Sequence, residues 1–254
     1  MKTDYAHDYA GYEQSHWWFK ARRRLLKGFL DQHITWRPGL KALEIGVGPG
    51  ENLKSLYPLN IDLVGLEPNS ENATLAQQRS GVNVYTGALG DLPRPVSEKK
   101  YDLVCLFDVL EHIEDDTAAI KQIWDLLGIG GQVALTTPAF QWLWGPQDLV
   151  NQHYRRYTRH ALCRKLEQRD FKIMRKTYFN TLLFPPIAAF RLLTKYRLKT
   201  QPDAISEFTY SAGPFNQWLE AVFSAEWPIL KYVDFPVGIS IFILARKTEY
   251  EKEG

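Results

Sequence analysis

Apolar residues fall along this chain in short runs set between longer helical segments. Ala42-Leu43-Glu44-Ile45, Ile61 to Leu66, Val82 to Tyr85, Tyr101 to Phe107 and Gln132 to Thr137 read as short buried strands. Glu51 to Leu56 can open a helix after the first of them. Ser70 to Arg79, with Ser70 as N-cap, and Thr117 to Leu127, ended by Gly128, predict two more helices. Strands alternating with helices predict a doubly wound parallel sheet. Further on, Arg159 to Arg169 reads as a helix, Phe171 to Tyr178 as a strand and Val237 to Ala245 as a late strand. An aromatic- and proline-rich stretch at about 180–236 separates those last two strands and reads as a helical insertion. Ahead of the first strand, residues 1–40 read as a polar tail and a helix near Glu13 to Phe29, closed by Trp36-Arg37-Pro38-Gly39. No internal repeat or low-complexity stretch interrupts this pattern.

Composition narrows the class. The 254 residues are 45% hydrophobic and 24% charged, which excludes a disordered chain. A net charge of +2 supplies no general field for polyanions, so nucleic acid is not an expected partner. The two cysteines, Cys105 and Cys163, form no CxxC, so neither a disulfide scaffold nor a cysteine-rich zinc site is expected. Met1 to Glu13 carries Asp4, Asp8 and Glu13 and no apolar core, which argues against a signal peptide. The longest apolar candidate, Leu182 to Leu193, is broken by Pro185, Pro186 and Arg191, so no spanning helix is expected. A cytoplasmic, reducing location follows as the default expectation.

The strongest chemical signal is Leu43-Glu44-Ile45-Gly46-Val47-Gly48-Pro49-Gly50-Glu51. A strand runs into GxGxG and then a helix. Glycine allows positive φ and close approach of backbone to a ligand, and the helix start offers free N–H groups. In a parallel sheet this turn lies at the carboxyl ends of the strands, where ligands bind. A dinucleotide fingerprint wants GxGxxG, but Glu51 occupies the sixth position, and its carboxylate would repel a pyrophosphate. Glu44 and Glu51 suit a ligand with a cationic part. Glu67, at the end of the second strand in Gly65-Leu66-Glu67-Pro68, can accept hydrogen bonds from a ribose diol.

Residues 41–137 resemble the class I S-adenosylmethionine-dependent methyltransferases. The resemblance rests on four motifs in order: the glycine loop, Glu67, Tyr101-Asp102-Leu103-Val104 with Phe107-Asp108-Val109-Leu110-Glu111-His112, and Leu126-Leu127-Gly128-Ile129-Gly130-Gly131. It implies a Rossmann-like, mostly parallel, seven-stranded sheet with helices on both faces, an N-terminal helical lid over 1–40, and a methyltransferase domain over 41–254. Within that domain it implies a cofactor core at 41–137, a substrate-side loop at 138–158 and the insertion. It also implies S-adenosylmethionine as cofactor and S-adenosylhomocysteine as product. The backbone of Gly46, Val47, Gly48 and Gly50 would hold the methionine part and ribose, Glu44 would face the ammonium, and Glu67 the ribose hydroxyls. Leu66 and Pro68 would pack beside the adenine. The acid that often follows the third strand is replaced by Ala88, so Ala88 and Leu89 would hold the adenine, and Asp91 receives no role. Asp108 and Val109 would orient the cofactor or its loop.

Methyl transfer needs a base only when the nucleophile arrives protonated. His112, on the loop after the fourth strand, and His153 are the candidate bases; a packing or capping role is the alternative for His112. Trp144, Tyr154, Arg155, Arg156 and Tyr157 follow the fifth strand and are candidate acceptor contacts. Either arginine could bind a carboxylate or phosphate, against the alternative of a structural loop whose arginines pair with nearby acids. His16 and Trp17 are also candidate substrate contacts, and they open a helix in which Phe19, Arg22, Arg23 and Leu26 lie near one another. No metal site is expected.

The segments HWWFKARRRLL, LWGPQDLVNQHYRRYT and YFNTLLFPPIAAFR resemble a bacterial subgroup of methyltransferase-like proteins. That resemblance implies a small-molecule, saccharide or lipid-linked acceptor. Leu182 to Leu193, followed by Lys195, Arg197 and Lys199, reads as a helical cap over the site or as a peripheral membrane contact. The alternatives to a methyltransferase are an NAD(P)-dependent oxidoreductase and a non-catalytic S-adenosylmethionine-binding protein. The oligomeric state has no signature in the sequence.

Overall fold

A computed structural model describes residues 11–198 and 213–248. Seven strands form one sheet in the order β3-β2-β1-β4-β5-β7-β6. They are β1 (Lys41–Ile45), β2 (Asp62–Glu67), β3 (Asn83–Thr86), β4 (Tyr101–Phe107), β5 (Leu127–Pro138), β6 (Phe171–Phe179) and β7 (Ser240–Lys247). Strands β1 to β5 pair in parallel, and β7 runs antiparallel between β5 and β6. The helices that matter below are α1 (Trp17–His33), α2 (Glu51–Ser55), α3 (Ser70–Ser80), α4 (Asp116–Leu126), α5 (Arg159–Glu167), α6 (Phe184–Leu198) and α7 (Asn216–Ser224).

Strand side chains alternate between two cores, one on each face of the sheet. Leu43, Val104, Leu106, Val133 and Leu135 pack with Ile120 and Ile123 of α4 and Leu162 of α5. Ala42, Leu103, Cys105, Ala134 and Phe242 pack on the other face with Ala21, Leu25, Phe29 and Leu30 of α1. Phe29 stacks on Phe242 with ring centroids 4.2 Å apart. One face of α1 is therefore part of the sheet's own core. Both cysteines are buried and free.

The core strands follow the expected runs, and several element ends move. The N-cap of α3 is Asn69, not Ser70, because the Asn69 side chain accepts from the Asn72 N–H at 2.9 Å. Likewise Asp115 caps α4 by accepting from Thr117 and Ala118. Gly128 does not end α4; β5 begins directly at Leu127, and the positive φ falls at Gly130 instead. His16 caps α1 by accepting from the Trp18 N–H, so the helix starts at Trp17 after a separate helical turn over 11–15. The loop after β5 is not wholly irregular: Pro146 opens a turn of helix at Pro146–Val150, where its missing N–H costs nothing.

Before β7 come α6, α7 and a short helix at Trp227–Leu230. Lys199 lies outside the described residues. Among the described residues, no helix is long and apolar enough to cross a membrane.

Candidate functional site

In an order that runs outward from β1 through β2 on one side and β4 on the other, a crevice opens above the carboxyl ends of the central strands. Here it is a cavity of about 980 Å³. Its floor at one end is the glycine loop. Gly46 and Gly50 have φ of 73° and 88°, in the left-handed region where a Cβ is strained. A Cβ would also stand 2.5 Å from Val109 Cγ2 at Gly46 and 2.7 Å from Ala76 Cα at Gly50. These two glycines let β1 turn sharply onto α2 and let α3 pack against the turn.

Glu67 crosses from β2 to the loop. It is buried; its Oε2 accepts from the Gly48 N–H at 2.9 Å and its Oε1 from the Asn69 N–H at 3.2 Å. Burial raises its pKa, and those backbone N–H bonds oppose the shift. Gly46, Val47, Gly48, Glu67 and Pro68 line the cavity, as do Ala88 and Leu89 across from them. Ala88 and Asp91 exchange backbone hydrogen bonds that close a tight turn, with the Asp91 side chain exposed.

Glu44 is not at the cavity surface. It is fully buried beneath the loop, where Asn52 Nδ2 donates to its Oε1 at 3.0 Å and its Oε2 has no hydrogen-bond partner. Burial pushes its carboxyl up to about 7, against the opposing effect of Tyr57 and Asn52. The acid that does reach the cavity here is Glu13, from the helical turn ahead of α1. Its Oε1 lies 3.7 Å from where a Gly48 Cβ would stand, and its Oε2 is buried without a partner. Burial pushes Glu13 up to about 8, with Arg22 and Arg23 opposing.

Asp108 follows β4 with φ of 58°, uncommon for an aspartate and set at the cavity wall. Its Oδ1 accepts from Thr136 Oγ1 at 3.1 Å, and its Oδ2 pairs with Arg22 Nη2 at 2.7 Å. The Arg22 guanidinium also lies over the Trp18 ring. His16, Trp17 and Val109 border the same space. Burial holds the His16 imidazole at about 4.

The other end of the cavity is polar at its base. Glu111 is fully buried, and neither carboxylate oxygen has a hydrogen-bond partner. Burial and the neighbouring Asp108 charge raise its pKa well above the usual carboxylate range. The His112 and His153 rings meet edge to face with centroids 4.6 Å apart. Desolvation and His153 hold His112 at about 4. His153 Nδ1 faces Asp148 Oδ1 at 2.8 Å. Burial would raise Asp148, but hydrogen bonds from His153 and Arg156 and the Arg156 charge hold it at about 2.

Of the five candidate acceptor contacts after β5, only Arg156 reaches the cavity. Its Nε and Nη2 each donate to Asp148 at 2.8 Å, and Nη1 donates to the Ala139 carbonyl. Arg155 pairs with Asp116 at 3.1 Å, and the buried Tyr157 hydroxyl donates to Asp116 at 2.8 Å. Tyr154 is exposed, and Trp144 is half-buried away from the cavity. The arginines therefore pair with acids of the fold, Arg156 with Asp148 of the same loop and Arg155 with Asp116 of α4, because a buried or half-buried guanidinium needs a carboxylate partner. Glu13, Arg22, Glu111 and Asp148 carry the site's electrostatics but received no role from the sequence. The adjacency of Glu111 to His112 and the five-residue step from Asp148 to His153 were the available signals.

Above the polar base, Leu183, Pro186, Ile187, Phe190 and Leu219 form an apolar wall from the inserted helices. Arg191 of α6 is buried and donates to the Leu143 carbonyl at 3.0 Å, which seats α6 on the loop after β5. Phe190 and Phe215 of this lining are also exposed, as are Leu192 and Leu193 of α6.

The sequence matches the family described as "Methyltransferase domain" over residues 13–176. A ubiquinone biosynthesis O-methyltransferase of Pectobacterium atrosepticum is 28% identical over 135 residues, 48% of this chain and 56% of that protein. Its counterpart in Aliivibrio fischeri strain MJ11 is 27% identical over 103 residues, 39% of this chain and 44% of that protein. The chain thus spans about half the length of the curated relatives it matches. Among solved structures, phosphoethanolamine N-methyltransferase 2 of Haemonchus contortus, in complex with S-adenosyl-L-methionine, superposes with a TM-score of 0.55 at 16% identity. That match covers 88% of this chain and 52% of the other. An S-adenosylmethionine-dependent methyltransferase of Mesorhizobium loti gives 0.54 at 13% identity, over 87% and 98% of the chains. The [4+2]-cyclase SpnF gives 0.57 at 18% identity, over 89% and 80%. At these identities the structural likeness establishes the fold alone.

Proposed function

The chain belongs to the class I S-adenosylmethionine-dependent methyltransferases, and we propose that it moves the cofactor's methyl group to a hydroxyl of a small molecule with an apolar body or tail. The cofactor lies along the glycine loop in this reading. Backbone of Gly46 to Gly50 cradles its methionine part, and Glu67 accepts from the ribose hydroxyls beside the Gly48 N–H it already holds. Pro68, Ala88, Leu89 and Val109 frame the adenine. Glu13 takes the place expected for Glu44: its carboxyl, with Oε1 beside Gly48 and Oε2 without a partner, faces the ammonium, and Glu44 supports the loop from beneath.

The observation that carries the acceptor class is the division of the remaining cavity. Its base holds Glu111, His112 and His153, and its wall holds Leu183, Ile187, Phe190 and Leu219. A hydroxyl is a poor nucleophile until its proton leaves. The lone pairs needed for that departure stand at the base, while the wall desolvates the rest of the molecule. The acceptor oxygen then attacks the methyl carbon in line, the C–S bond breaks with its electrons going to sulfur, and the sulfonium becomes the neutral thioether of S-adenosylhomocysteine. Asp148 positions His153, and Arg156 positions Asp148. The exposed Phe190 and Phe215, which line the cavity, give an apolar tail a path out of it, which brings lipid-linked acceptors within the class. The relatives named ubiquinone biosynthesis O-methyltransferases support an oxygen acceptor.

The test is methyl transfer from isotopically labelled cofactor to paired acceptors that share an apolar tail and differ in the nucleophile. The hydroxyl compounds acquire label and the matched amines and carboxylates do not. Label on the amine or carboxylate series alone overturns the acceptor assignment.

A further inference from the structure

We propose that Glu111, His112 and His153 bind a divalent first-row cation, with zinc as the best fit, at the base of the cavity. The three side chains offer one ligand atom each, all within 4.8 Å of one another. Around a tetrahedral ion with legs of about 2.1 Å such atoms stand roughly 3.4 Å apart. One carboxylate and two imidazoles suit zinc and its neighbours better than magnesium or calcium, which prefer all-oxygen sets.

Three further observations point to a cation. Glu111 is fully buried with both oxygens unpartnered, an arrangement that costs free energy unless something positive meets it. The two nearby guanidiniums pair with other acids, Arg22 with Asp108 and Arg156 with Asp148, and the Tyr154 N–H goes to the Glu111 backbone carbonyl, so the carboxylate oxygens are left without a hydrogen-bond partner. The His153 imidazole also has an oxygen that fixes its ring: Asp148 Oδ1 stands 2.8 Å from its Nδ1. A carboxylate on Nδ1 holds the proton there and leaves the Nε2 lone pair free, the outer-shell support that zinc histidines use. With three protein ligands, the ion keeps open positions for the acceptor.

This inference rests on the reading of the cavity as a methyl-transfer site. The bound cation would ionise the acceptor hydroxyl: the oxygen binds the metal, its proton passes to water, and the metal-held oxygen attacks the methyl. The imidazoles then act as ligands instead of bases.

Calorimetric titration of the full chain with zinc chloride tests it, alongside titration with S-adenosylhomocysteine. One zinc per chain is expected. Glu111→Gln and His153→Ala each weaken it by more than the roughly 10- to 100-fold that outer-shell changes cost, while the exposed His160→Ala does not. In both ligand variants S-adenosylhomocysteine affinity stays within about threefold. Cobalt supplies a second readout: visible absorption bands form in the wild type and are lost in Glu111→Gln. Absence of zinc binding, or zinc binding that survives both ligand variants, overturns the site. Failure of S-adenosylhomocysteine to bind while zinc still does overturns the cofactor reading and leaves the metal site standing.

Discussion

Arg22 of α1 reaches Asp108, the residue just after β4, at 2.7 Å, and so ties the N-terminal helix to the wall of the cavity. The Arg22 side chain is 6% exposed and that of Asp108 21%. Removing one member of such a pair leaves the other charge with little solvent to turn to. Arg22→Gln is expected to destabilise the fold by about 2–3 kcal/mol. In a double-mutant cycle with Asp108→Asn the two losses fall well short of additive. Urea denaturation of the four proteins measures this, and full additivity would mean the contact contributes nothing.

Glu67 holds the glycine loop through the Gly48 N–H and is assigned the ribose hydroxyls. Glu67→Ala is expected to weaken S-adenosylhomocysteine about 10- to 100-fold, the span of one or two lost hydrogen bonds to a charged acceptor. Calorimetry reads the affinity, and circular dichroism checks that the sheet survives. Unchanged affinity would remove Glu67 from the cofactor site.

Gly50→Ala places a Cβ 2.7 Å from Ala76 Cα, at a φ of 88°. Backbone strain and overpacking together are expected to cost about 2–4 kcal/mol. A thermal melt should show the loss directly, and a Tm equal to wild type contradicts the packing described.

The Glu44 carboxyl is buried and pushed up to about 7, so the folded state holds a proton that the unfolded chain releases near 4.5. The unfolded state then binds fewer protons across that interval, and stability falls as pH rises. The Glu44 share of the stability, on the order of 1–3 kcal/mol, is expected to be lost between pH 4.5 and 7 and to show as the difference between wild type and Glu44→Gln. Glu44→Gln removes that share. Denaturant midpoints at pH 5 and pH 8 compare the two proteins, and equal slopes would show that Glu44 ionises freely.

The parts of the fold that were legible are those fixed by local pattern. The continuous apolar run of β4 begins and ends where it was expected, at Tyr101 and Phe107. The glycines declare the turn after β1 because no other residue takes those φ values without strain. Helix ends were less legible: Asn69 and Ser70 are both good caps, and only the geometry chooses between them. The acceptor side was least legible. Arg155 and Tyr157 looked available to the acceptor, yet Asp116, distant along the chain, takes both. Glu13 could be read only as the start of the N-terminal helix, because its place beside Gly48 depends on how α1 docks. Ion pairing across the fold has no period and no fixed spacing, so a single sequence cannot announce it.

The most direct test of the acceptor reading is the identity of the atom that gains the methyl group. The purified chain, saturated with methyl-labelled S-adenosylmethionine, is offered an equimolar mixture of hydroxyl and amine compounds carrying the same apolar tail, and mass spectrometry with NMR locates the label. The account predicts the label on oxygen, with the yield falling when the tail is removed. Label on nitrogen, or equal transfer to tailless compounds, would contradict it.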